Sequence, residues 1–155
     1  MKESHTESGR SLMETIGYLA IAGILLAGTI AVYNTVRTRI ARTTAAAQIS
    51  ETITNARVLF RGGGDYKNIS VDYLVNAGAL RNSASPVKNT EWSVSPMSGN
   101  IAFAVNFANM NYGDCSFWAI KKIDGVAQTV INGYTGDSGD NHCQDGPNQL
   151  TFIAQ

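Results

Sequence analysis

Glu14 is the residue whose position most needs a chemical explanation. It stands five residues after Gly9, in the run Gly9-Arg10-Ser11-Leu12-Met13-Glu14-Thr15, and no charge follows it from Thr15 to Val36. Ile16 to Tyr33 is almost wholly apolar. Such a segment is long enough to cross the ~30 Å hydrocarbon layer as a helix rising about 1.5 Å per residue. An ionised carboxylate at its edge costs on the order of a few kcal/mol in lipid unless a cation neutralises it. The chemistry implied is ion pairing, with the cation supplied by a partner chain.

Other reactive residue types are few. Cys115 and Cys143 are the two cysteines, without Cys-x-x-Cys spacing or a histidine cluster, which argues against a metal site. Behind a membrane-targeting segment, such a pair reads as one disulfide in an oxidising compartment, stabilising by roughly 3–4 kcal/mol on the chain-entropy model. Two free buried thiols in a reducing cell are the alternative. The two histidines are His5 and His142. A Ser–His–Asp arrangement would rest on His142 alone, inside a glycine-rich loop, where a solvated loop residue is the plainer reading. Gly62-Gly63-Gly64 is not followed by Lys-Ser or Lys-Thr and comes after a helical pattern, unlike a phosphate-cradling loop. No enzyme and no cofactor are expected. Gly136-Asp137-Ser138-Gly139-Asp140-Asn141 is oxygen-rich, and Asp137 and Asp140 are weak calcium candidates. The full acidic spacing with a closing Glu is missing, so a turn-rich surface loop is preferred. Tyr66, Tyr112 and Tyr134 near loops are available for surface contacts with a receptor or a neighbouring molecule, although exposed tyrosines are ordinary.

The helix that must position Glu14 is long. Apolar residues continue past the greasy segment as Val36, Ile40 and Ala47, then Ile49, Ile53, Ala56 and Phe60, the last four at helical spacing. No proline occurs from Met1 to Ser85, and Gly62-Gly63-Gly64 is the first strong stop. One helix from about Leu12 to Phe60 is expected, on the order of 70 Å long. A secretory signal would have a shorter apolar core and a small-x-small cleavage site after it. Gly17, Gly23 and Gly28 each cost about 1 kcal/mol relative to Ala in a helix interior. Either they allow close helix approach, or Gly23 and Gly28 mark a stretch that can unwind or bend when its surroundings change.

The rest is one small domain. The chain has 155 residues, twelve basic and twelve acidic side chains, and 15% charged residues, so no global field favours nucleic acid. Beyond the helix, roughly 90 residues can form a modest core. Ser70 caps a short helix, Val71 to Ala77, closed by Gly78. Trp92-Ser93-Val94 alternates, as does Ile101 to Phe107, with Ile101, Phe103, Val105 and Phe107 on one face. Phe117 to Ile123 and Val126 to Ile131 flank Asp124-Gly125, a hairpin signal, and Leu150 to Ile153 is a last strand. Four or five antiparallel strands packing on Ile49, Ile53, Ala56 and Phe60 give an α+β head on a helical stalk. There is no internal repeat.

Gly9, Glu14 and the apolar helix together resemble the N-terminus of type IV pilins and pseudopilins. Ala56 to Tyr66, with its Gly-rich turn, and Ile69 to Gly78, ending in Ala-Gly, are similar to type IVb pilins of the toxin-coregulated and plasmid thin-pilus kind. The resemblance implies a pilin fold: a long N-terminal helical stalk packed on a small antiparallel sheet. It implies that residues 1–9 are a leader removed by prepilin peptidase after Gly9, and that Arg10 is an N-methylated mature terminus. It implies that Glu14 pairs with the α-ammonium of a neighbouring subunit, and that Cys115 and Cys143 bound a disulfide-closed C-terminal region. Residues 10–60 would be the stalk, with 15–36 in the membrane, and 61–155 the globular head.

The implied function is a structural subunit of a type IVb-like pilus, a homopolymer built by an assembly platform and ATPase. The subunit would wait in the bacterial inner membrane with its head in the periplasm, then join an extracellular filament able to meet a host-cell or neighbouring-pilus surface. A minor pilin or pseudopilin of a secretion or DNA-uptake machine, and a non-polymerising single-pass anchored binding domain, are the alternatives. Glu3 and Glu7 against Lys2, with Arg37, Arg39 and Arg42 beyond the segment, favour a cytoplasmic head when charges alone are counted. The cysteine pair and the peptidase-like site favour the outside, which is the orientation adopted.

Overall fold

The computed structural model describes residues 6–61, 65–97, 99–135 and 142–155, with side chains from residue 11 onward. The expected stop at Gly62-Gly63-Gly64 and the loop bearing Asp137 and Asp140 lie outside the described residues. Helix α1 spans Thr6–Phe60 without a break, beginning upstream of the expected Leu12. The chain divides into two compact units, Met1–Ala41 and Arg42–Gln155.

In the first unit α1 carries no charge from Thr15 to Val36, and no residue with a described side chain up to Ala41 is buried. An eighteen-residue stretch has mean hydropathy 2.0 with none of it buried, making this helix long and apolar enough to cross a membrane. Gly17, Gly23 and Gly28 lie within the continuous helix, and a methyl group added at any of them would meet nothing within 4 Å.

The second unit is α+β. After the end of α1 come α2 (Val71–Asn76), β1 (Glu91–Pro96), β2 (Phe103–Met110), α3 (Tyr112–Ile120), β3 (Gln128–Ile131), β4 (Tyr134–Thr135) and β5 (Asn148–Ala154). The strands form one five-stranded sheet in the order β1-β2-β5-β3-β4, with every pairing antiparallel. The C-terminal strand therefore occupies the centre. Ser70 caps α2 as expected, its hydroxyl accepting from the Tyr73 amide at 3.1 Å.

The core forms where one face of α1 meets the sheet. Ala45, Ile49, Ile53 and Ala56 recur at spacings of four, four and three and are at most 3% exposed, as one helical stripe requires. They belong to a single cluster with Phe103, Val105 and Phe107 of β2, Leu150, Phe152 and Ala154 of β5, and Trp118 of α3. Phe60 is half-buried beside Tyr66 and Tyr73, at ring distances of 5.3 and 5.4 Å. Tyr66 is itself core, 9% exposed, and so is not the surface contact expected of it. Ile101 is 73% exposed; it precedes β2 and does not continue the Phe103, Val105, Phe107 face.

The larger correction concerns Phe117 to Ile123, expected as a strand and found mostly in helix α3. Asn111 is the N-cap: its side chain accepts from the Asp114 amide at 2.9 Å and donates to the Asp114 carboxylate at 2.7 Å. Cys115 and Trp118, three apart, are the buried face, a helical spacing. The apolar run is thus one turn-periodic face preceded by a cap, and strand propensity yields to it. Asp124-Gly125 does turn the chain, with the Val126 amide bonded to the Ile123 carbonyl at 3.2 Å, but it links α3 to β3. The hairpin turn is instead Asn132-Gly133 between β3 and β4, with φ of 51° and 87°, the signs a two-residue hairpin turn requires.

Gly125 locks this connection to α1. Its carbonyl accepts from Arg57 Nη2 at 2.7 Å, and the Asp124 carbonyl accepts from Ser50 Oγ at 3.2 Å. A Cβ at Gly125 would stand 3.0 Å from both Arg57 Nη1 and Ile53 Cγ2, at φ 88°. Gly125→Ala is therefore expected to destabilise the head by about 1–3 kcal/mol in urea denaturation. A loss within measurement error of zero would mean α1 does not need this close approach.

Candidate functional site

Two regions carry the residues singled out by sequence, one in each unit. In the first, Gly9 and Arg10 lie within the helical residues of α1, and Glu14 is exposed. Among the described residues Glu14 makes no hydrogen bond or ion pair. Its surroundings on the helix are apolar: Leu12, Met13, Ile16, Tyr18, Leu19 and Ile21 are each more than half exposed. The nearby hydroxyls do not offset this. Thr15 donates to the Ser11 carbonyl at 2.8 Å, Thr29 to Leu26 at 2.9 Å, Thr35 to Ala31 at 3.1 Å and Thr38 to Asn34 at 3.0 Å. Donors turned back onto their own helix no longer call for water. The helix thus presents an apolar surface of a kind soluble monomers rarely leave uncovered, with one carboxylate on it.

The second region surrounds the disulfide. Cys115 and Cys143 are bonded, with Cα atoms 5.9 Å apart. Cys115 is fully buried in α3, so the bond fixes the segment before β5 to the core. Two asparagines hold that segment on either side of Cys143. Asn132 Nδ2 donates to the His142 carbonyl at 2.8 Å and to Asn148 Oδ1 at 2.9 Å, while its Oδ1 accepts from the Gln149 amide at 2.8 Å. Asn148, 1% exposed, accepts from the Gln144 amide at 2.8 Å. It donates to the carbonyls of Gln144, Gly146 and Met110 at 3.0, 2.9 and 3.2 Å. A buried amide satisfied on both of its atoms specifies one loop path. Sequence reasoning missed both residues; the Asn-Gly pair at 132–133 was the available signal.

His142 stacks on Tyr134, with centroids 4.6 Å apart and planes at 20°, and Tyr134 is 60% exposed. Its ring thus contacts an aromatic neighbour. Tyr112 is also exposed. Among the described residues no group of three or more His, Cys, Asp and Glu could hold a metal, and Asp137 and Asp140 are not among those residues.

Arg42, counted above as a flanking positive charge, is engaged inside the second unit. Its guanidinium pairs with Asp114 at 2.9 Å, donates to the Gly113 carbonyl at 3.3 Å and lies 4.6 Å from the Phe117 ring centre. It ties α1 to the capped start of α3.

Compared with known proteins, the chain matches no family model and no curated protein.

Removing the Asn148 amide leaves the buried Met110 carbonyl and the part-buried Gln144 and Gly146 bonds without their donor. Asn148→Ala is expected to cost about 2–4 kcal/mol in urea denaturation and to speed reduction of Cys115–Cys143 by dithiothreitol. Asn148→Asp keeps an acceptor but loses the donors, and is expected to behave similarly. Unchanged stability and reduction rate in both variants would remove Asn148 as the anchor of the loop.

Proposed function

We propose that this chain is a structural subunit of a type IVb-like pilus, held in the inner membrane through residues 15–36 and polymerised through the apolar half of α1. The observation that carries this reading is the pairing of opposites in the first unit: an uncharged, exposed apolar helix from Thr15 to Val36, and at its edge the Glu14 carboxylate, with no partner among the described side chains. Lipid covers the apolar surface of an isolated subunit but leaves Glu14 costly. A second copy covers both, because cleavage after Gly9 creates an α-ammonium on Arg10, one helical turn from the carboxylate in sequence.

Assembly then follows from chemistry. Prepilin peptidase removes residues 1–9, and the platform and its ATPase draw subunits out of the bilayer. Helices pack with helices, and each Glu14 meets the new amine of a neighbour. Contacts of that head-to-tail kind do not close on themselves and produce a fibre. Gly17, Gly23 and Gly28 suit this packing, since nothing in their own chain crowds them and small residues let helices approach closely. The disulfide and the asparagine-held loop fit a head exposed outside the cell, where thiols oxidise and where it can meet host-cell or neighbouring-pilus surfaces.

Mass analysis of the native protein's N-terminus tests the processing step. The expected product begins at a methylated Arg10; a full-length, monomeric chain retaining Met1 favours a single-pass anchored domain and overturns the proposal. The pairing step is tested separately. Glu14→Ala and Glu14→Gln are each expected to leave the head's melting temperature unchanged while reducing incorporation into filaments, because an uncompensated amine in an apolar interface costs roughly 3–5 kcal/mol. Normal filament numbers in both variants would rule out the pairing. Abundance in purified filaments separates a major subunit from a minor pilin or pseudopilin.

A further inference from the structure

The second unit contains an open cleft of about 360 Å³ between α1 and the segment that follows α2. It shares no residue with the disulfide-bounded loop or with the first unit. One wall is a single face of α1, because Gln48, Glu51 and Asn55 are spaced by three and four residues. The other wall carries Ala79, Arg81 and Trp92.

The walls are rigid where they meet. Asn55 Nδ2 donates to the Ala79 carbonyl at 2.8 Å, and the Ala79 amide is itself bonded to the Leu74 carbonyl at 2.8 Å. The Trp92 indole donates to the Ser83 carbonyl at 2.8 Å and stacks on Phe107, with centroids 6.2 Å apart and planes at 16°. The indole is therefore held in one orientation and only half-buried. The polar groups, by contrast, are uncommitted. Glu51 and Arg81 are exposed and make no ion pair or hydrogen bond among the described residues. Asn55 Oδ1 accepts nothing from them either, although the amide is fixed through its nitrogen.

We infer that this cleft binds a neutral hexopyranose unit of a glycan. A pyranose ring has an apolar C–H face and a rim of hydroxyls that both donate and accept. The fixed indole supplies a flat apolar surface for the first. The carboxylate of Glu51, the amides of Asn55 and Gln48 and the guanidinium of Arg81 are planar groups able to engage adjacent hydroxyls in pairs. One carboxylate and one guanidinium cancel in charge, so the cleft selects no net ionic ligand. Its volume lies in the range of small-molecule sites. An open, wet cleft forms its contacts in competition with water, which places a free disaccharide in about the millimolar range. The inference goes beyond polymerisation and does not depend on it, because every residue used lies in the second unit.

The test exploits the chain's two tryptophans. Trp118 is 1% exposed, so a ligand-induced fluorescence change reports Trp92. Full-length protein in a phosphocholine detergent, free of sugar headgroups, is titrated with maltose, lactose and N,N′-diacetylchitobiose. A saturable change is expected with at least one of them. Glu51→Gln and Arg81→Gln are each expected to weaken it about tenfold, while Lys122→Gln, outside the cleft, leaves it unchanged. These side chains make no hydrogen bond or ion pair among the described residues, and matching thermal melts will show that the variants remain folded. No saturable response to any of the three sugars overturns the inference. So does a response that both cleft variants leave unaltered, and so does saturation by glycylglycine where the sugars fail, which would make the cleft a zwitterion site. None of these results bears on cleavage at Gly9 or on filament number.

Discussion

The burial of one stripe of α1 against a five-stranded sheet is the interaction on which the head depends. Ile49, Ile53 and Ala56 are fully buried, and so are Phe103, Val105, Phe107, Leu150 and Phe152 facing the same cluster. No other helix in the second unit is long enough to cover that sheet: α2 has six residues and α3 nine. Without residues 45–56 the inward face of β2 and β5 would be open to water, losing on the order of 1.5–3 kcal/mol per large side chain. The head is therefore not a domain attached to a helix, since the helix supplies one whole side of its core. Covalent continuity then carries the apolar residues of the first unit into whatever environment they require.

The sheet is closed by polar devices as much as by grease. The described non-glycine residues with positive φ are Asn89, Asn100, Asn109 and Asn132, the residue type best suited after glycine to the left-handed region. Asn109 falls within the register shift of β2 between Phe107 and Met110, where an extra residue bends the strand. The shift places Met110 opposite Asn148 and lets the Asn148 amide reach the Met110 carbonyl. One irregularity in a central strand thus supplies part of the network that holds the disulfide-bounded loop.

How much of this was legible in the sequence follows from how local each cause is. The long helix, its stripe, the Ser70-capped α2 and the strands around Val94, Val105 and Phe152 have periodicities of a few residues, and all were visible. The α+β class follows from them. The identity of α3 was missed because Phe117-Trp118-Ala119-Ile120 favours a strand by composition, and the deciding cap sits six residues earlier at Asn111. The central position of β5 is a long-range outcome that no local pattern encodes. Trp92 reads as an alternating strand residue, and its role as a cleft wall arises from Ser83 and Phe107, which sequence alone does not bring together. Arg42 reads as a flanking charge because its partner, Asp114, is 72 residues away.

Arg42 and Glu14 make an instructive contrast on the same helix. Asp114 receives the Arg42 guanidinium and the Asn111 amide, so the head settles its half-buried carboxylate from within. A half-buried pair of that kind contributes modestly, but its geometry fixes how α3 starts relative to α1. Glu14 has no such provision among the described residues, although it lies among side chains more apolar than those around Asp114. The arginines of α1 that follow Glu14 are Arg37, Arg39, Arg42 and Arg57, all more than twenty residues away, beyond the reach of a side chain along a helix that rises about 1.5 Å per residue, whereas Arg10 precedes it by four residues. If this part of α1 lies in lipid, the cation nearest to Glu14 in the chain is on the N-terminal residues beside it, and any other comes from another molecule. Folding alone does not require a carboxylate there. In the proposed assembly, the amine at the start of a second chain's apolar helix would supply that cation.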